Sequence, residues 1–133
     1  MRWHDKYKEL ETSSKFHEAF REFLLTDSFF SRVKAFQEVP VSDLAPRYPF
    51  NHYIDWYLET YGLVVELHGI QHYKPAGFGG VSMREKISNL ASNKKRDSLK
   101  KDALLQAGYD YLEIPYTQKN FKELLMEAIC QKK

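Results

Sequence analysis

The stretch Leu63-Val64-Val65-Glu66-Leu67 constrains the fold of this chain more than any other. It is a near-continuous apolar run, broken by one carboxylate and preceded by Gly62. A run this short, rich in β-branched residues and opened by a turn signal, reads as a strand. Just upstream, the aromatic and β-branched segment Tyr53–Leu58 reads as a second strand. The connection Glu59-Thr60-Tyr61-Gly62 predicts a hairpin loop, with glycine where a positive φ is wanted. The two strands should therefore be antiparallel neighbours.

The remaining elements follow from period and punctuation. Ser14 predicts an N-cap for a helix to about Leu25, with Phe16, Phe20, Phe23 and Leu24 on one apolar face. Arg32 to Val39 reads as a strand closed by Pro40, and the following segment with Pro46 and Pro49 as an irregular loop. The glycines at 69, 77, 79 and 80 suit a mobile loop. A long helix is expected from about Ser82 to Ala107, with Gly108 as its C-cap. Tyr109 to Ile114 reads as a further strand stopped by Pro115. A last helix from about Asn120 to Gln131 should bury Phe121, Leu124, Leu125 and Ile129. The order α-β-β-β-α-β-α defines an α/β fold, a mixed sheet flanked by helices, in which the long helix permits a parallel strand pair by crossover. Residues 1–133 read as one domain, with 1–13 a polar lead-in, helical or frayed.

Composition narrows the class. Hydrophobic residues make up 43% of the 133 and aromatics 15%, ample for a core and against disorder. No run approaches the ~18 apolar residues of a membrane span, and the first residues lack an apolar signal segment. Cys130 is the single cysteine, which excludes an internal disulfide and a thiolate metal cluster. A soluble cytoplasmic protein is the expectation. The net charge of +2 is too small to announce nucleic acid, but its distribution is uneven. Between Arg84 and Asp102 seven basic residues stand against three acidic ones, the footprint of a phosphate-binding stripe or of a solvated helix face.

Three features are not asked for by folding alone. Asp55 sits in the middle of an aromatic strand, and Glu66 interrupts the apolar one just ahead of His68 and His72. A carboxylate in such a strand loses hydration and must be paired or bound to a metal. Antiparallel pairing can bring Asp55 and Glu66 to neighbouring positions, and two carboxylates plus a backbone carbonyl suit Mg²⁺. On the long helix, Leu90, Asn93, Asp97, Lys101 and Leu104 share roughly one face, apolar at its ends and polar between. Each feature also has a simpler reading. Asp55 could face solvent on an edge strand, Glu66 could pair with a lysine, Asp97 could pair with Lys101, and the histidines could be packing residues. Zinc on His68 and His72 is disfavoured, since no cysteine cluster or third histidine accompanies them.

Taken in order, these segments resemble the PD-(D/E)XK nuclease superfamily, in its branch of very-short-patch-repair nucleases and small phage and bacterial "EDxHD" endonucleases. The resemblance runs from Ser14 and Glu18 through Phe36–Pro40, Tyr53-Ile54-Asp55 and Val65–His72 to Asn93–Asp97, Leu104–Gly108 and Tyr111–Ile114. It implies a restriction-endonuclease-like fold and Mg²⁺-dependent hydrolysis of DNA, with Mn²⁺ as a substitute. Glu18, Asp55, His72 and Asp97 would fill the four lettered roles. Asp55 would hold the metal with Glu66 and the Leu67 carbonyl. His72 would activate or position the attacking water, and Asp97 and Glu18 would orient it or bind a second metal. Lys94, Lys95, Arg96 and Lys100 would contact flanking phosphates. His68 stands where the superfamily carries a lysine, and the zinc cysteines and mismatch-reading aromatics of the repair enzymes are not evident. A branched-DNA resolvase on the same fold and a silent nucleic-acid-binding protein are the alternative readings. Recognition of a long site at this size calls for a homodimer or a partner domain.

Overall fold

In the computed structural model, residues 3–10, 14–69 and 83–130 are described, the side chains of 83–91 excepted. The elements are β1 (His4–Asp5), α1 (Lys15–Thr26), β2 (Ala35–Pro40), α2 (Val41–Leu44), β3 (Tyr53–Leu58), β4 (Leu63–His68), α3 (Met83–Gln106), β5 (Asp110–Pro115) and α4 (Phe121–Cys130). Short 3-10 turns cover Phe30–Arg32 and Glu59–Tyr61. The strands form one five-stranded sheet in sequential order. β1 to β4 are antiparallel and β5 runs parallel to β4.

The local signals act as expected. The Ser14 side chain accepts from the His17 amide and caps α1. Gly62 and Gly108 take φ values of 59° and 95°, closing the hairpin and α3 at positions that disfavour a side chain. Two segments differ from expectation. The lead-in is not helical at His4–Asp5, which pairs with Gln37 and Phe36 as a short edge strand. It is tied down by Lys6, whose buried ammonium donates to the carbonyls of Phe30, Ser31 and Val33 at 2.9, 3.0 and 2.6 Å. The loop before β3 holds one helical turn, α2, because Val41 and Leu44 bury themselves against the sheet.

Both sheet faces are covered. On one, Trp56, Leu58, Val65, Leu67 and Ile114 pack against Phe20 and Leu24 of α1 and Phe121 and Leu125 of α4. On the other, Ile54, Tyr57 and Val64 meet Val41, Leu44 and Leu104. Trp56 and Phe20 are in edge-to-face contact, with centroids 5.7 Å apart, at the centre of the first cluster. Truncating either to alanine would cost about 3–5 kcal/mol. Every residue of β4 is buried. Strand alternation then fixes the geometry of the site: Val65 and Leu67 serve the α1/α4 face, while Glu66 and His68 are turned toward α3.

Candidate functional site

β3 and β4 pair at Leu58–Leu63, Tyr57–Val64 and Trp56–Val65, and the recorded ladder ends there. One step further the register sets Asp55 beside Glu66. The Asp55 carboxylate takes over from the ladder, its Oδ2 accepting from the Leu67 amide at 2.7 Å. In an extended strand the N–H and C=O of one residue point to the same edge. The Leu67 carbonyl is therefore on the Asp55 side of β4.

Glu66 is 4% exposed. Desolvation, first, and then the charge and hydrogen bond of Asp55 push its carboxyl well above the ordinary carboxylate range. The opposing influence is Lys100, whose Nζ lies 3.2 Å from Glu66 Oε1 and 3.0 Å from the Tyr53 carbonyl. Asp97, one turn earlier on α3, is 3.9 Å from the same ammonium and 3.9 Å from His68 Nε2. His68 Nδ1 lies 3.3 Å from Glu113, which also pairs with Lys101 at 3.4 Å. The Tyr111 hydroxyl is buried near these carboxylates without a hydrogen-bond partner, and burial raises its pKa.

These groups open into a cleft of about 740 Å³ lined by Asp55, Glu66, Leu67 and Asp97, with Lys100 and Arg96 from α3. The first turn of α1, from Ser14 to His17, and the segment from Asn51 to Tyr53 complete it. Asp55, Glu66, Leu67 and Asp97 are thus brought together, with His68 behind them. Lys94, Lys95 and Arg96 are exposed on α3, and Asp102 is exposed on another side of the helix. His72 and the glycine-bearing stretch lie outside the described residues, as does the Leu90 side chain.

Three expectations change. Lys100 is not on the open basic face. It is 6% exposed and bound to Glu66, so the lysine pairing weighed for that glutamate and the metal-type site are one and the same place. The inward stripe of α3 accordingly runs through Asp97, Lys100 and Leu104, with Lys101 displaced outward to Glu113. Glu18 is exposed and does not line the cleft. The acidic residue that stands by Asp55 from the N-terminal half is Glu38, between the pairs Gln37–Trp56 and Val39–Ile54. Desolvation and then Asp55 raise its carboxyl, although the residue as a whole is exposed. Its φ of 52° is strained for a residue with a side chain, and such strain is concentrated at functional sites. A glutamate in a left-handed conformation leaves no sequence mark, so only the backbone reveals it.

Among the described residues no group of three or more His, Cys, Asp or Glu side chains is arranged to hold a metal ion. The donor set is two carboxylates and a main-chain carbonyl. That suits Mg²⁺, which keeps several waters and needs few protein ligands. Burial first, and then the Asp55 carboxylate, raise the Glu66 carboxyl, and a bound cation would oppose both. Comparisons with protein-family models, curated proteins and solved structures return no match. No described helix is long and apolar enough to cross a membrane.

Proposed function

We propose that the chain is a metal-dependent DNA endonuclease of the PD-(D/E)XK type. The observation that carries this reading is the meeting of Asp55, Glu66 and Lys100 where β3 and β4 part, at the floor of a cleft with Arg96 beside it. Asp55, Glu66 and the Leu67 carbonyl would hold Mg²⁺ or Mn²⁺. When bound, the ion supplies a Lewis acid for the phosphoryl oxygen and acidifies a coordinated water.

The chain's own groups divide the remaining work. Lys100 places its side-chain nitrogen against Glu66 and stands in for the superfamily lysine whose position His68 takes. Asp97 stands within ion-pair range of both His68 and Lys100, and Glu113 lies against the other ring nitrogen of His68. His72 is the proposed general base. Phosphate on the substrate backbone is met by Arg96 and by the first turn of α1, where the helix dipole favours an anion. Lys94 and Lys95, exposed along the same helix, extend the contact to flanking phosphates.

The test is a plasmid-nicking assay with Mg²⁺, with Mn²⁺ and with EDTA, on the wild type and Asp55→Ala. Metal-dependent nicking that disappears in the variant is expected. Equal nicking by the folded variant would place the reaction elsewhere.

A further inference from the structure

The loop between α2 and β3 packs over the C-terminal half of α3 and leaves a second cleft, of about 550 Å³. Its wall is largely apolar, with Pro46, Tyr48, Phe50, Leu99 and Ala103, and Arg47 at its exposed edge. Phe50 is 48% exposed although its ring is in contact with both Tyr48 and His52. One side of its ring lies flat against His52, with centroids 5.5 Å apart and planes 18° from parallel. Tyr48 meets Phe50 edge-on, and its hydroxyl is 2.6 Å from His52 Nδ1, which fixes the imidazole plane. His52 also lines the acidic cleft, in company with Arg96. The stacked pair is therefore a wall shared by the two clefts. Desolvation, then the cations Arg96 and Lys100, lower the His52 pKa.

We infer that Phe50 is a stacking platform for an unpaired base, and that the substrates of this site are DNAs with unpaired bases, such as single strands and forks, ahead of intact duplex. The inference rests on the endonuclease reading above. A phosphate at Arg96 and an aromatic ring two positions before His52 match the polar and flat halves of one nucleotide. In a paired duplex the base faces are covered by their neighbours, so an open ring beside a phosphate site is useful only to an unstacked base. Arg47 lines the cleft of Phe50 and Arg96 the cleft of His52, so each carries a cation that suits a polyanion. Continuity with the acidic cleft would put the stacked base beside the reacting phosphate.

The experiment is anisotropy of fluorescein-labelled oligothymidylate and of a duplex of equal length, in EDTA, for the wild type, Phe50→Ala, Phe50→Leu and Phe50→Trp. The wild type should prefer the single strand. Alanine and leucine should each weaken single-strand binding about 5- to 150-fold, the range for one lost base stack, with little effect on duplex, and tryptophan should restore it. Leucine keeps the apolar bulk, so a loss shared with alanine is a loss of stacking and not of folding. Unchanged or equal losses on both DNAs, with Asp55-dependent nicking intact, would overturn the inference and leave the endonuclease reading standing. A wild type that binds neither DNA and nicks no plasmid would overturn both.

Discussion

Lys100 Nζ lies 3.2 Å from Glu66 Oε1, and the two side chains are 8% and 5% exposed. Breaking a buried pair by removing one partner leaves an uncompensated charge, at a cost of about 3–5 kcal/mol. Lys100→Met should be destabilised by that order in urea unfolding, and adding Glu66→Gln should restore much of the loss. Additive effects of the two substitutions would mean that the pair is not coupled. Lys100→Met should also depress nicking more than Lys95→Met, since Lys95 is exposed.

The raised Glu66 carboxyl gives a signed pH dependence. Its folded pKa lies above the unfolded value, so its contribution to stability is fully present below the unfolded pKa of 4.5 and is lost as pH rises through the folded one. Burial is the first cause of the shift, Asp55 adds to it and Lys100 opposes it, and Asp97 and Tyr111 are the further titratable groups nearby. In EDTA, the stability of Glu66→Gln relative to wild type should therefore improve from pH 4.5 upward and then level off. Lys100 loses its partner in the variant at every pH, so the slope is the informative quantity. A flat difference across this range would show that Glu66 titrates normally.

Asp97 and Asp102 share α3 but not a direction. Asp97 lines the cleft beside Lys100 and His68, whereas Asp102 is exposed. Asp97→Asn should cripple nicking while Asp102→Asn stays close to wild type. The reverse ranking would remove Asp97 from the site.

Exposed Lys94 and Lys95 should contribute phosphate contacts without reading sequence. Changing both to glutamine should weaken DNA binding and reduce the slope of log affinity against log salt by about two units, near one per contact. A slope equal to wild type would direct the DNA over another surface.

Lys6 offers a structural contrast. Its ammonium satisfies three carbonyl oxygens around the 3-10 turn at Phe30–Arg32. Lys6→Met should lower stability by about 2–4 kcal/mol, because buried acceptors are left without donors. Nicking by the folded fraction should persist. Loss of activity at full stability would tie β1 to the site.

Much of this organisation was legible in the chain itself. Ser14, Gly62 and Gly108 mark backbone conformations that local sterics and capping dictate, so α1, the β3–β4 hairpin and the end of α3 could be read from them. Asp55 and Glu66 were visible because a charge in an apolar strand conflicts with burial and demands a partner. The identity of the partner was not legible. Lys100 is 34 residues from Glu66 in sequence, and helical period alone could not decide whether residue 100 or 101 faces the sheet. That choice depends on how α3 rotates when Leu104 docks under Val64 and Ile54. Glu38 and the Phe50–His52 stack were likewise hidden, since a positive φ and a ring left open are set by packing of the whole sheet and loop. The sequence determined which residues could not be ordinary. Tertiary structure decided which of them meet, because charge pairing and ring stacking depend on distances that only the packed sheet and helices define.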